Sequence, residues 1–184
     1  KNISSTQSIE EVMSVEAHCR KAYYSKWEDI TGWDFEGRSK RPPGNALNAL
    51  ISFGNAMTYT VVLKEIYRTA LNPTISYLHE PSERRYSLAL DISEIFKPVF
   101  VDRLIFRLIN LNIIQEQHFD RNTNSAYLTE EGRKIFVREY EDFMEKTILH
   151  RNLKRNIRYK NLVRLDLYKL IKHLLSEEGY VPMK

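Results

Sequence analysis

Apolar residues recur at steps of three and four along most of this chain, the spacing of helices with one buried face. Ile9, Val12, Met13, Cys19, Tyr23 and Trp27 form such a stripe. A first helix is therefore expected from N-caps at Ser4 to Thr6 as far as about Trp27. Breakers Gly32, Gly37 and Pro42-Pro43 punctuate a polar loop from Glu28 to Gly44. A long helix follows from about Asn45 to Ala70, with Gly54 in its small, apolar middle. A buried helix tolerates such a glycine where neighbours pack closely. Asn72-Pro73 ends it. Further helices are expected from Ser82 to Phe96, from Pro98 to Asn110, from Thr129 to about His150 and from about Ile157 to Ser176. Ile113 to His118 and Ser125 to Leu128 flank a turn-rich segment and predict a small hairpin. The fold class expected is all-α: one compact multi-helix domain over residues 1–184 with a single small β-hairpin.

Composition narrows this picture. The chain has 184 residues, 42% hydrophobic and 28% charged, enough to bury a core without a disulfide or structural metal. Cys19 is the lone cysteine, which suits a reducing cytoplasm. The sequence shows no evident signal peptide and no apolar run near the length that spans a bilayer, so no membrane partner is expected. It begins at Lys1 rather than Met, as a fragment would. The net charge of +4 leans mildly toward nucleic acid. The basic run HRNLKRNIRYK, from His150 to Lys160, reads either as a solvated junction between helices or as a phosphate-contacting strip.

Candidate chemistry rests on a few side chains. Glu16 falls within the first helix's apolar stripe and is expected to be buried, so it must be paired, protonated or metal-bound. Pairing with Arg20 at i+4 is the simpler reading. Asp91 and Glu94 stand three apart on one helix, with Lys97 three further on and His79 upstream in LHEP. They read either as a solvated acidic edge or as oxygen ligands with one imidazole, suited to Mg²⁺ or Mn²⁺. No Walker loop, H-E-x-x-H, C-x-x-C or G-x-S-x-G occurs, which leaves nucleotide hydrolysis, zinc and serine chemistry without support.

Several segments follow one another in an order that resembles the CRISPR-associated integrase family called Cas one. They are SVEAHCRKAYY, RPP, NALISFGNA, IYRTALNPTISYLHEP and SLALDISEIFKPVFVDR, spread from about Glu10 to about Thr129. The resemblance implies an all-helical catalytic domain that follows an N-terminal β domain, absent here, through which the family dimerises. It implies that Glu16, His79 and Glu94 are metal ligands, with Asp91 at a nearby acidic position and Lys97 at a basic one. The sequence departs from a common form of the family at Asn45. The implied activity is that of a Mg²⁺- or Mn²⁺-dependent DNA endonuclease and integrase. It joins short double-stranded DNA to a CRISPR repeat by attack of a 3′-hydroxyl on a phosphodiester. The implied partners are double-stranded DNA, a second copy in the full-length protein and the small adaptation protein Cas two. Arg41, Arg84, Arg85 and Lys97 flank the site in sequence and are the expected DNA contacts. Two rivals stand beside this reading. One is a non-catalytic winged-helix-like DNA-binding module built from the Pro98–Asn110 helix, the hairpin and LTEEGRKIF. The other is an inactive structural fragment.

Overall fold

The computed structural model of the protein describes residues 8–78, 86–122, 125–150, 153–176 and 178–182. In chain order the elements are α1 (Ile9–Tyr24), α2 (Trp27–Thr31), α3 (Ala46–Ile66), α4 (Ser87–Lys97), a π-helical turn (Pro98–Asp102) and α5 (Arg103–Asn110). A 3-10 turn (Glu116–His118) leads into the hairpin β1 (Phe119–Asn122) and β2 (Ser125–Leu128), then α6 (Glu130–Glu145). A second hairpin, β3 (Thr147–His150) and β4 (Arg155–Arg158), precedes α7 (Tyr159–Leu174). The all-α reading holds, with two small antiparallel hairpins among the described residues where one was expected.

The extra hairpin has a local cause. Lys146 turns extended at φ −61°, ψ 154° and ends α6. The residues after it include Thr147 and Ile148, whose branched Cβ atoms suit a strand. They pair with the basic run, Ile148 opposite Ile157 and His150 opposite Arg155. Helical periodicity carries the expected helix through to His150 and reads the basic run as a junction between helices or a phosphate-contacting strip, not as a strand. Arg155–Arg158 of that run form β4, and Glu145 pairs with Arg158 at 3.3 Å and also with Lys160.

Helix α3 is the hub. Asn45 caps it, its side chain accepting from the Asn48 N–H at 2.9 Å. Leu47, Leu50, Ile51, Val62 and Ile66 are fully buried, and α3 lies against α4, the π turn, β2 and α7. At 21 residues it is long and apolar enough to cross a membrane by length and composition, contrary to the expectation of no such run. Here its apolar surface is spent on the core that it shares with α4 to α7. Glu65, also buried, is tied to Arg68 at 2.6 Å and to Arg164 of α7 at 2.7 Å.

The chain does not break at Lys97-Pro98. Residues Lys97, Pro98, Asp102 and Arg103 all keep right-handed helical angles, so α4, the π turn and α5 form one continuous rod. Pro98 has no N–H for the carbonyl of Glu94 and its ring crowds that carbonyl. A widened π turn accommodates both faults without a break. The rod buries Phe96, Phe100, Val101, Leu104, Ile105 and Leu108. The elements counted for a winged-helix module are therefore part of one shared core, and Arg107 is tied to Glu139 of α6.

Helix α1 departs most from expectation. It buries Val15 alone, while Ile9, Met13 and Tyr23 of the expected apolar stripe are exposed, as is Cys19. The core anchor comes after it: Trp27 of α2 is fully buried among Tyr24, Phe35 and Phe106.

Packing is very close at Gly54. A Cβ built there would stand 2.5 Å from Val101 Cγ1 and 3.0 Å from the Phe136 ring. Ala gains about 1 kcal/mol of helix propensity over Gly, but overpacking a filled core costs roughly 1–3 kcal/mol. Gly54→Ala is expected to lower the stability read by urea unfolding, and Gly54→Val to lower it more. A stability equal to or above wild type for Gly54→Ala would show that the rod and α6 can retreat from α3.

Candidate functional site

The site forms where α1 lies beside the rod. Glu16, Arg20 and Tyr23 are spaced i, i+4 and i+7 and share one face of α1. Arg20 Nη2 donates to Glu16 Oε1 and to Glu94 Oε2, each at 2.5 Å. Glu94 Oε1 accepts from Lys97. One turn along, the Tyr23 hydroxyl donates to Asp102 Oδ2 at 3.0 Å. The face by which α1 meets the rod is thus polar rather than the apolar stripe that periodicity suggested.

Glu16 is not buried: its side chain is 45% exposed, against 26% for Glu94 and 37% for Arg20. The expected i, i+4 ion pair exists, but at that exposure it contributes at most about 1 kcal/mol. The informative bond is the second one, from α1 to α4. Both carboxylate oxygens reach the same nitrogen at 2.5 Å, so they stand no more than 5.0 Å apart. Two oxygens on one Mg²⁺ lie up to about 4.2 Å apart, so small side-chain movements would let both bind a single hard cation. Among the described residues no group of three His, Cys, Asp or Glu side chains gathers as a ligand set. His79, Arg84 and Arg85 lie outside the described residues.

Asp91 faces other partners. Its Oδ2 accepts from the backbone N–H groups of Tyr77 at 2.7 Å and Leu78 at 3.0 Å. It ties the segment before α4 to α4 itself, one helical turn ahead of Glu94. Its place in the structure is that of an anchor for backbone.

Cations outnumber carboxylates around Glu94. Arg38 donates to Asn48 Oδ1 at 2.8 Å and Ser52 Oγ at 2.9 Å, which fastens the loop before α3 to that helix. Asn48, itself buried, also binds the N–H of Ser39 and the carbonyl of Gly37. Lys40 follows on the same loop. Partial desolvation, then the charges of Arg38, Arg20 and Lys97, pull its ammonium below the usual lysine value, with Glu94 opposing. Desolvation works to raise the Glu94 carboxyl, but Lys97 and Arg20 outweigh it and hold the group below its ordinary value. Arg41 is exposed. Arg38 and Lys40 escaped sequence reading because nothing in a loop sequence says which side chains fold back onto a helix.

Residues 1–142 match the family described as CRISPR associated protein Cas1. This chain belongs to the Cas1 family. It is 80% identical over 182 residues to a Moorella thermoacetica protein named CRISPR-associated endonuclease Cas1 2, covering 99% of this chain and 57% of that relative. The chain thus spans a little over half the length of this Cas1 relative. A solved CAS1 protein from Thermotoga maritima superposes with a TM-score of 0.89 at 41% identity, over 97% of this chain and 57% of that one. A casposase bound to integration product shares the fold at a TM-score of 0.89 and 21% identity, over 98% of this chain and 52% of its own.

Asp102 was passed over inside VFVDRLIF, although a carboxylate among so many apolar neighbours is itself a signal. Burial pushes its carboxyl up to about 6 from an ordinary 3.8; the Tyr23 hydrogen bond and the nearby Arg20 and Lys97 oppose this. The folded state therefore holds this proton more tightly than the unfolded chain. Stability from this group is full below about 4 and is lost as pH rises toward 6. Asp102→Asn keeps an acceptor for Tyr23 but carries no charge. Its stability is expected to rise relative to wild type by up to about 3 kcal/mol between these limits, as read by urea unfolding at each pH. A pH-independent difference between the two proteins would mean that Asp102 titrates as a solvated carboxyl.

Proposed function

We propose that this chain is the catalytic domain of a CRISPR adaptation integrase that joins short double-stranded DNA to repeat DNA. The observation that carries the reading is the meeting of Glu16 and Glu94, from helices far apart in sequence, on one cation position in a Cas1-family fold. Glu16, Glu94 and His79 would hold a Mg²⁺ or Mn²⁺. When bound, that ion supplies Lewis-acid polarisation of a phosphodiester and charge stabilisation at its oxygens.

The protein's own groups do the rest. Lys97 keeps one Glu94 oxygen engaged and fixes the carboxylate's orientation. Asp91 holds the backbone of Tyr77 and Leu78, the residues preceding His79. Arg38, Lys40 and Arg41, with Arg84 and Arg85, offer positive charge to the DNA backbone. Lys97 is a weaker DNA contact than sequence suggested, because it is committed to Glu94 and only 17% exposed. The attacking group is a DNA 3′-hydroxyl and the leaving group is the 3′-hydroxyl of the cut strand. Bonds made and broken are both phosphodiesters, so no side-chain nucleophile is needed. The same arrangement supports cleavage of DNA when water attacks. In the full-length protein a second copy and the small partner Cas two would complete the assembly, and the site would work in the cytoplasm.

Strand joining of a labelled duplex by the full-length protein should require Mg²⁺ or Mn²⁺ and stop with EDTA. Alanine at Glu16, His79 or Glu94 should reduce it at least 100-fold with the helical circular dichroism retained, and activity should decline in acid as the imidazole protonates. Asp91→Ala should impair joining while leaving residual activity. Wild-type rates in the Glu16 and Glu94 variants would sink the site. Binding to duplex DNA should weaken steeply as salt rises and depend little on sequence, as expected for contacts to phosphate. Salt-insensitive affinity would assign the basic residues to a merely solvated surface.

A further inference from the structure

We propose that Arg20 is the built-in counter-cation of this site, a positioning residue that holds Glu16 and Glu94 together and is exchanged for the divalent ion. The proposal rests on the reading of those two carboxylates as metal ligands. One nitrogen, Arg20 Nη2, lies 2.5 Å from an oxygen of each glutamate and so occupies the point toward which both aim. An ion bound to those same two oxygens would exclude the guanidinium. The two Glu94 oxygens have separate partners: Oε2 takes Arg20, while Oε1 takes Lys97. Exchange at Oε2 therefore leaves the Lys97 contact in place and the carboxylate oriented. Arg20 can also leave without unfolding anything. Its side chain is 37% exposed on a helix that buries Val15 alone, so rotation about its stem carries the guanidinium into water. Without a cation between them, two carboxylates no more than 5.0 Å apart repel one another. Arg20 removes that repulsion in the metal-free protein and keeps α1 against α4.

Thermodynamic linkage gives this arrangement a definite sign. A group that must be displaced lowers the apparent affinity of its competitor, and its removal raises it. Arg20→Gln should melt below wild type without metal, because Glu16 and Glu94 Oε2 then face each other with no cation between them. It should bind Mn²⁺ about 5-fold more tightly or better, and its melting temperature should rise further on adding Mn²⁺ than that of wild type. Arg20→Lys, which keeps the charge, should fall between the two. A purely structural tie predicts the opposite: loss of Arg20 would let Glu16 drift from Glu94 and weaken Mn²⁺ binding. The experiment is Mn²⁺ titration by calorimetry and thermal melting on wild type, Arg20→Gln, Arg20→Lys and Glu94→Gln. Tighter binding and a larger shift in Arg20→Gln support the exchange. If wild type binds Mn²⁺ through Glu94 but Arg20→Gln binds it equally or more weakly, the exchange is overturned and the metal site stands. If no protein shows Mn²⁺ binding that Glu94→Gln removes, the metal reading fails and the exchange falls with it.

Discussion

Gly54 lets α3 approach Val101 and Phe136 to a distance that no side chain at this position would permit. Much of the site takes its position from that approach. Val101 belongs to the π turn, which continues α4 without a break, so seating the turn on α3 also fixes where Glu94 and Asp102 stand. From the other side, Asn48 and Ser52 of the same helix hold Arg38 and its loop. One central helix thus positions the carboxylates and the cations around them through packing on one face and hydrogen bonds on another.

The parts of the site are fastened in different ways. Glu94 is carried by a rod whose Phe96, Phe100 and Leu104 are buried, so moving it means disturbing the core. Glu16 is carried by a helix that buries Val15 alone and is joined to that rod by an ion pair and a hydrogen bond. Its firm attachment is at the far end, where Tyr24 leads into the buried ring of Trp27. A cation position shared between a rigid and a lightly held carboxylate can adjust its width to the ion or group that fills it.

Much of the fold was legible because helices declare themselves by period, and Gly54 announced close packing by being a glycine inside an apolar helix. The misreadings have physical causes. The step of three and four made α1 look amphipathic, but its contact face works through the charges of Glu16 and Arg20 and the hydroxyl of Tyr23, which a hydrophobic count cannot see. The strand β4 reads as charge, RNIR, because only Ile157 points inward. Pro98 reads as a helix start, since no local rule foretells that a π turn will absorb it. Glu16 and Glu94 were legible through resemblance rather than spacing: no pattern in the sequence alone brings residues 78 positions apart to one nitrogen. Arg20 was visible as a partner for Glu16, while its reach to Glu94 depends on tertiary packing.

The light burial of α1 also bears on which parts of the molecule open first. Backbone amides exchange with solvent through the least costly opening that exposes them, and that cost follows buried apolar contact. Val15 is the single buried side chain of α1, while α3 runs through the middle of the core. The amides of α1 are then released to solvent by a local detachment that leaves α3 to α7 folded, well below the free energy of global unfolding. One of the two carboxylates can be withdrawn from the other and returned to it while its counterpart never leaves the native core, so the gap between them opens and closes without melting the domain.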